Sequence, residues 1–455
     1  MRPFLFCSCL LAAAISSHPS AALAAGDGGP LRVATFRADL TPPLGTPTYP
    51  SGKPLETVET PLWAKGVVLD DGRQRVVLCA IDWCGLCGPV HRLFRDKLAE
   101  GAATEASHVT VHTVHQHTAP YLPIGTLERQ VTTGGPSETL DPSVIRQLAQ
   151  RLGDAVKASL EQFRQFDSIG AGQAPVERVA AARRILTDGG KILTRWSACK
   201  DPDLRAKPEG RIDPMLKTIT LAHGDKPLVR IHYYATHPQS FYGDARVCYD
   251  VPGFARERLE EKEQVFQIYF TGCAGDVTMG KYNDGTPQAR TELADRLYAA
   301  MEASVAATRI EPAGRLVWRT LPLVLQLKDE ADRDLAKNRA LRDDPTQPAK
   351  ARQQASRRLA LAEWLSQPLQ LNLLRLGPVQ VVHLPGESMI EFQLFTQQQR
   401  PDRFLAVAAY GDLATGYICT EEAFSQGGYE PSASRVAPNS EAALKQAIRN
   451  LLEAE

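Results

Sequence analysis

The chain has 455 residues, 52 of them basic and 52 acidic, and 43% hydrophobic content, the make-up of an ordinary folded protein. So even a balance excludes the basic footprint of a nucleic-acid binder and the polybasic face of a protein held electrostatically on a membrane. Residues 1–25 read as a secretory signal peptide: Arg2, an apolar core over residues 4–15 and a small-residue cleavage region, with cleavage expected near Ala24 or Ala25. Losing Arg2 from the 52 basic residues leaves 51 against 52 acidic ones. No later run reaches the roughly 18 apolar residues that a membrane span needs. The expectation is a secreted or periplasmic protein without a transmembrane segment, with one large domain over residues 26–455. Seven cysteines remain after processing, an odd number without disulfide-scaffold spacing. Cys84 and Cys87 read as a structural pair or as two buried thiols.

Residues 31–40 alternate like a strand and run into TPPLGTPTYPSGKPLE. There Pro42, Pro43, Pro47, Pro50 and Pro54 impose a rigid, irregular course suited to one wall of a pocket. Asp71-Gly72 between two apolar runs marks a hairpin, with Asp82 at the end of its second strand. Residues 89–100 form an amphipathic helix, and 122–136 a Gly/Thr-rich loop. A helix over 141–163 is capped by Asp141, takes Pro142 in its first turn and carries a stripe of Val144, Leu148, Leu152, Val156 and Leu160. After a strand at 168–174, the paired Arg183-Arg184 either clamp an anionic or carbonyl group or stand solvated. Residues 216–221 and 228–235 make a second hairpin around Gly224-Asp225, ending in Thr236-His237-Pro238. A helix at 254–263, a strand at 265–270, the turn TGCAGDVTMG and a helix at 287–307 follow. That turn is placed to present backbone N–H groups and the Thr278 hydroxyl at one point. Residues 327–366 are charged and helical in period, broken at Asp343-Asp344-Pro345, and read as a two-helix surface excursion. Strands at 371–376, 379–384 and 404–410 come next, the second ending in Pro385-Gly386-Glu387. Loops then carry Tyr417 and Tyr429, and a helix at 440–453 closes the chain. The expected fold class is α/β, with mixed β-sheets flanked by helices in a single domain; no internal repeat is visible.

The stretch VTVHTVHQHTAPY places His112, His115, His117 and Tyr121 within ten residues of a chain with only ten histidines. Alternation of polar and β-branched residues reads as a strand, which Pro120 stops. Residues two apart share a strand face, so His115 and His117 are expected to project together from the strand's C-terminal end, where α/β sites are built. An H-x-H pair alone is read more readily as two idle loop histidines. His237, Glu387 and Tyr417 at further strand ends change the balance. Two histidines, a carboxylate and a phenol suit zinc, with a position left for water.

In order along the chain, these motifs resemble the neutral/alkaline non-lysosomal ceramidases in their catalytic domain. VHQHTAP is similar to the family's THTHSGP, ATHPQSF to the site of its second zinc histidine, and GCAGDVTMG to GNxGDVSPN. LPGE matches its zinc-binding PGE, and GYICTEEAFSQGGYE its GYVTTxEEYxxQxYEG. RADLTPPLG near the start also fits, so the likeness runs from about residue 33 to 430. It implies a zinc-dependent amidohydrolase that uses a metal-activated water to cleave an N-acyl, ceramide-like amide bond. It further implies zinc ligation by His115, His237, Glu387 and Tyr417, proton transfer or carbonyl polarisation by His117, and oxyanion stabilisation by Tyr429. Arg183 corresponds to the family's active-site arginine. Thr278 stands where the family has a serine, which implies a water mechanism with Thr278 as a hydrogen-bonding pocket residue. Met279-Gly280 replace Pro-Asn. The chain stops about 25 residues after Tyr429, so the family's C-terminal immunoglobulin-like domain is expected to be missing. The substrate expected is a small-molecule or lipid amide. Two other readings use the same residues: a metal-dependent hydrolase of another amide, ester or lactone, and a non-catalytic binding protein that keeps the fold.

Overall fold

The computed structural model describes residues 29–127, 139–241 and 244–453. The expected signal peptide and most of the 122–136 loop lie outside the described residues. Three sheets carry the fold. In spatial order the first runs Arg32–Asp39, Trp63–Asp70, Arg75–Ile81, Val109–Thr113. The second runs Ser168–Pro175, Met215–His223, Lys226–Tyr234, Phe266–Thr271, and the third Leu316–Leu323, Leu369–Leu376, Val379–His383, Phe404–Ala408. Short strands, Arg164–Gln165 and Arg309–Pro312, extend the first two sheets at the edge away from the last-named strand.

All three sheets follow one plan. Their first three strands are antiparallel, and the fourth lies parallel to the third. A parallel neighbour needs a crossover, and a helix supplies it each time: Pro89–Ala102, Asp250–Glu263 and Ile390–Gln399. The hairpins between second and third strands all turn on a glycine of positive φ, namely Gly72, Gly224 and Gly377. The connection between first and second strands is always an excursion: the Pro-rich segment, residues 176–214, and the charged segment. The last of these holds three helices, Glu330–Arg333, Leu335–Asp343 and Ala349–Leu365, where the sequence predicts two. The threefold repetition is absent from the sequence because it repeats strand order and turn position, which many side chains satisfy equally well.

The helices lie outside and the sheets face inward. Phe36, Val68 and Val77 of the first sheet pack with Phe94, Leu98 and Leu152 of Pro89–Ala102 and Pro142–Ser159. Its other face, through Val67 and Leu78, joins Ile231 and Ile268 of the second sheet and Leu373 and Val381 of the third in one central core. Third and fourth strands are therefore covered on both sides, which accounts for the apolar run VVLCAI and for the unbroken burial of VQVVH.

At their C-terminal ends the fourth strands are tied to one another. Thr113 N donates to Tyr410 O at 2.9 Å, and Ala409 N donates to Thr271 O at 2.9 Å. The Thr271 hydroxyl closes the ring by donating to Val114 O at 2.7 Å. A second tie is ionic. Arg256, on the crossover helix of the second sheet, grips Asp82 at the end of the first sheet's third strand through two bonds of 2.9 Å, both side chains being fully buried. Asp82 Oδ2 also accepts from Trp63 N at 3.0 Å. Removing one partner of such a pair strands a buried charge. Asp82→Ala is therefore expected to destabilise the fold by about 3–5 kcal/mol in urea unfolding, whereas a surface substitution such as Lys200→Ala stays within about 0.5 kcal/mol.

Candidate metal centre

The histidine strand ends at Thr113 rather than at Pro120, and the chain then turns through His115 with φ of 71°. A left-handed conformation costs a residue other than glycine about 1–3 kcal/mol. Three contacts hold it here: His115 N donates to Trp83 O at 2.9 Å, Nδ1 donates to Cys84 O at 2.5 Å, and the ring stacks at 4.4 Å on Tyr410. Tyr410 is itself left-handed, with φ of 64°. The His115 and His117 rings meet edge to face at 5.0 Å. The two histidines thus share a site as expected, but a left-handed turn brings them together and not strand alternation.

His237 follows the third strand of the second sheet. Its Nδ1 donates to Ala274 O at 2.6 Å, in the turn after the fourth strand. Glu387 follows the third strand of the third sheet through Pro385-Gly386, with Gly386 at φ of 69°. A Cβ on Gly386 would sit 2.4 Å from the Thr415 hydroxyl, so the PGE turn needs its glycine in order to aim the glutamate. Gly275 is equally constrained, since a Cβ there would lie 2.4 Å from Glu387 O. Asp276 beside it accepts from Ile390 N at 2.8 Å, at the start of the third crossover helix.

These turns bring three atoms together. His115 Nε2 and His237 Nε2 are 3.2 Å apart, and each is 3.3 Å from Glu387 Oε2. Both Nδ1 protons are committed to carbonyls, so both Nε2 atoms present lone pairs. Glu387 Oε2 is buried and has no hydrogen-bond partner among the described residues. Three electron pairs at this spacing repel unless a proton or a cation lies among them. Burial opposes the proton, pushing the His237 imidazole down to about 4. Two imidazoles and a carboxylate, with the imidazoles oriented by carbonyl acceptors, make a donor set that fits a divalent metal such as zinc. Cys84 Sγ also lies 4.0 Å from His115 Nδ1. That nitrogen is already bonded to the Cys84 carbonyl, so the sulfur does not complete a ligand set through it. Cys84 and Cys87 are both buried free thiols.

Around this core stand the remaining residues singled out from the sequence. Tyr417 lies opposite Glu387 in the two-stranded pair Glu387–Ser388 and Tyr417–Ile418, and its ring stacks on His237 at 6.4 Å. Burial pushes its phenol well above the ordinary range, with the Arg183 guanidinium opposing. Arg183 sits 5.2 Å from the ring centres of both Tyr417 and Tyr429. The arginine pair is not solvated: Arg183 Nε and Arg184 Nη1 clamp the two oxygens of buried Glu430 at 2.7 and 2.8 Å. Tyr429 reaches the surface, where its ring meets exposed Trp196 at 5.1 Å. The Thr278 hydroxyl is spent on backbone, donating to Arg195 O and accepting from Gly280 N, both at 3.3 Å.

Three residues of this site escape sequence reasoning. Tyr49, in the Pro-rich segment, lies 5.6 Å from His117 and 4.9 Å from Tyr121, so the segment does wall the site. Tyr410 and Glu430 support it from below. The end of a strand before Gly-Asp is the one signal that could have found Tyr410; no spacing points to Glu430.

The fold is that of the neutral ceramidases. Among solved structures, neutral ceramidase from Pseudomonas aeruginosa superposes with a TM-score of 0.67 at 16% identity, over 93% of this chain and 74% of that one. A structure described as ceramidase complexed with C2 gives 0.67 at 15% identity, over the same shares. No protein-family model and no curated protein sequence matches the chain. Glu387→Ala and His237→Ala are each expected to abolish stoichiometric binding of a divalent metal ion. Tyr417→Phe is expected to weaken it in a chelator competition assay without abolishing it.

Proposed function

We propose that the chain is an exported zinc-dependent amidohydrolase that cleaves an N-acyl amide of ceramide type. The observation carrying this reading is the meeting of two imidazole lone pairs and an unpartnered carboxylate oxygen within 3.3 Å, in a fold shared with neutral ceramidases. His115, His237 and Glu387 would hold the ion, with Tyr417 as a fourth ligand on loss of its phenol proton. When bound, zinc lowers the pKa of a water to about 7 and polarises a carbonyl.

The protein's own groups supply the rest. His117, whose ring is 5.9 Å from that of His237, accepts a proton from the attacking water and returns it to the leaving amine. Tyr429, with the Arg183 charge behind it, donates to the oxygen that becomes negative as the carbonyl carbon turns tetrahedral. Glu430 keeps that guanidinium in place. Thr278 holds the turn beside Arg195 and is not the nucleophile. Tyr49 covers His117 and keeps bulk water from it.

His115→Ala is expected to lose zinc and activity together. His117→Ala keeps zinc, measured by elemental analysis, while kcat falls by about 10²–10⁴-fold. The assay is hydrolysis of N-acyl sphingosine, run beside N-acyl amino acids and simple esters. Turnover of the esters alone would replace the amide reading with an esterase. Thr278→Ala costs less than about tenfold, the scale of one neutral hydrogen bond; complete loss with zinc retained would point to a covalent route.

A further inference from the structure

A cavity of about 240 Å³ lies in the seam between the first and third sheets, apart from the metal centre. Its walls are the helix Pro89–Ala102, the strand Val109–Thr113, the end of Ala349–Leu365 and the paired strands that carry Asn372 and His383. It shares no lining residue with the metal centre. A single water needs only about 10–15 Å³ of such space, so the cavity admits a small organic molecule.

Its lining is cationic. Arg92 and Arg95, three residues apart, share one face of the helix. The Arg92 guanidinium lies 4.3 Å from the Trp364 ring, and among the described residues no carboxylate pairs with it. Arg95 Nη1 donates to Gln370 Oε1 at 3.0 Å, but its buried Nε makes no hydrogen bond, with the Asp96 carboxylate 3.9 Å away. The carboxylate in the lining, Asp412, is already satisfied by Gly88 N at 2.8 Å, Ala414 N at 2.9 Å and Trp364 Nε1 at 2.6 Å.

The lining also holds a bare acceptor, on His383. His112 Nδ1 lies 2.6 Å from Ala409 O and therefore carries the proton. His112 Nε2 is then an acceptor, approached by the Thr110 hydroxyl at 2.6 Å and by His383 Nδ1 at 3.2 Å; a bare His383 Nδ1 would set two lone pairs against each other, so it too donates. That tautomer leaves His383 Nε2 with a lone pair; the atom is buried and has no hydrogen-bond partner among the described residues. A buried acceptor left so is unfavourable until a donor reaches it.

We propose that this cavity is a second ligand site, which takes a short hydroxy acid: its carboxylate on Arg92 and Arg95, its hydroxyl donating to His383 Nε2. The test titrates the zinc-loaded full chain with DL-lactate, propionate and glycerol, by calorimetry and by the fluorescence of Trp364. Lactate is expected to saturate one site, with propionate at least tenfold weaker and glycerol silent. Trp364→Phe removes the fluorescence response. Arg95→Gln, or the milder Arg92→Gln at an exposed position, weakens lactate at least tenfold while zinc content and hydrolytic rate stay unchanged. Absence of saturable lactate binding overturns the proposal. So does undiminished binding in both arginine variants, which would place lactate on the metal, or equal affinity for propionate, which would remove the role of His383.

Discussion

Three fourth strands from three sheets end within hydrogen-bonding reach of one another, and that closure organises the molecule. Thr113–Val114, Thr271 and Ala409–Tyr410 are joined by bonds of 2.7 to 2.9 Å. A parallel edge strand normally leaves unpaired backbone groups at its terminus. Here each terminus satisfies the next, so no sheet can shift along its strand axis without breaking bonds to both others. The loops leaving these ends, and those leaving the neighbouring third strands, have little choice but to converge. His115 and His117, His237, Glu387 and Tyr417 come from these loops. The site is a consequence of how three separate sheets share one axis of termination.

Convergence of this kind carries costs that the surrounding contacts offset. His115 and Tyr410 are both held left-handed, stacked on each other at 4.4 Å. Glu387 and two imidazoles are buried with their lone pairs facing. The backbone carbonyls of Cys84 and Ala274 fix the histidine tautomers, and the Glu430 carboxylate offsets one of the two charges of the arginine pair under the tyrosines. Fixing each tautomer from outside is what makes an inward-facing lone pair certain. The same logic, run without a carboxylate, gives the His112–His383 pair in the adjoining seam: a carbonyl orients one ring, that ring orients the next, and the last nitrogen is left without a partner on a residue that lines a cavity.

Local elements followed their local chemistry. The Asp71-Gly72 and Gly224-Asp225 hairpins, the Asp141-capped helix Pro142–Ser159 and the closing helix Ser440–Glu453 form where turn residues, caps and periodicity place them. The strand before His115 is shorter than the sequence suggests, because Pro120 is the first strong stop signal whereas the alternation of Val109, Thr110, Val111 and His112 already breaks at Thr113-Val114, where the backbone leaves the sheet. Threefold topology stayed hidden for a related reason: strand order is encoded in pairings between segments, and a single segment carries no record of its partner.

Composition and spacing alone determined the α/β class, the mixed sheets and the set of strand-end residues from which a metal centre could be drawn, since each depends on neighbours a few positions away. Which of these residues meet was decided by the tertiary structure. His115, His237 and Glu387 lie 122 and 150 residues apart in turn, and their 3.2–3.3 Å spacing exists only because three sheets end at one point. The burial of Glu430 between Arg183 and Arg184, the placing of Tyr49 over His117 and the orphaned nitrogen of His383 arise in the same way. Electrostatic pairing and desolvation act through space, and only the folded chain sets those distances.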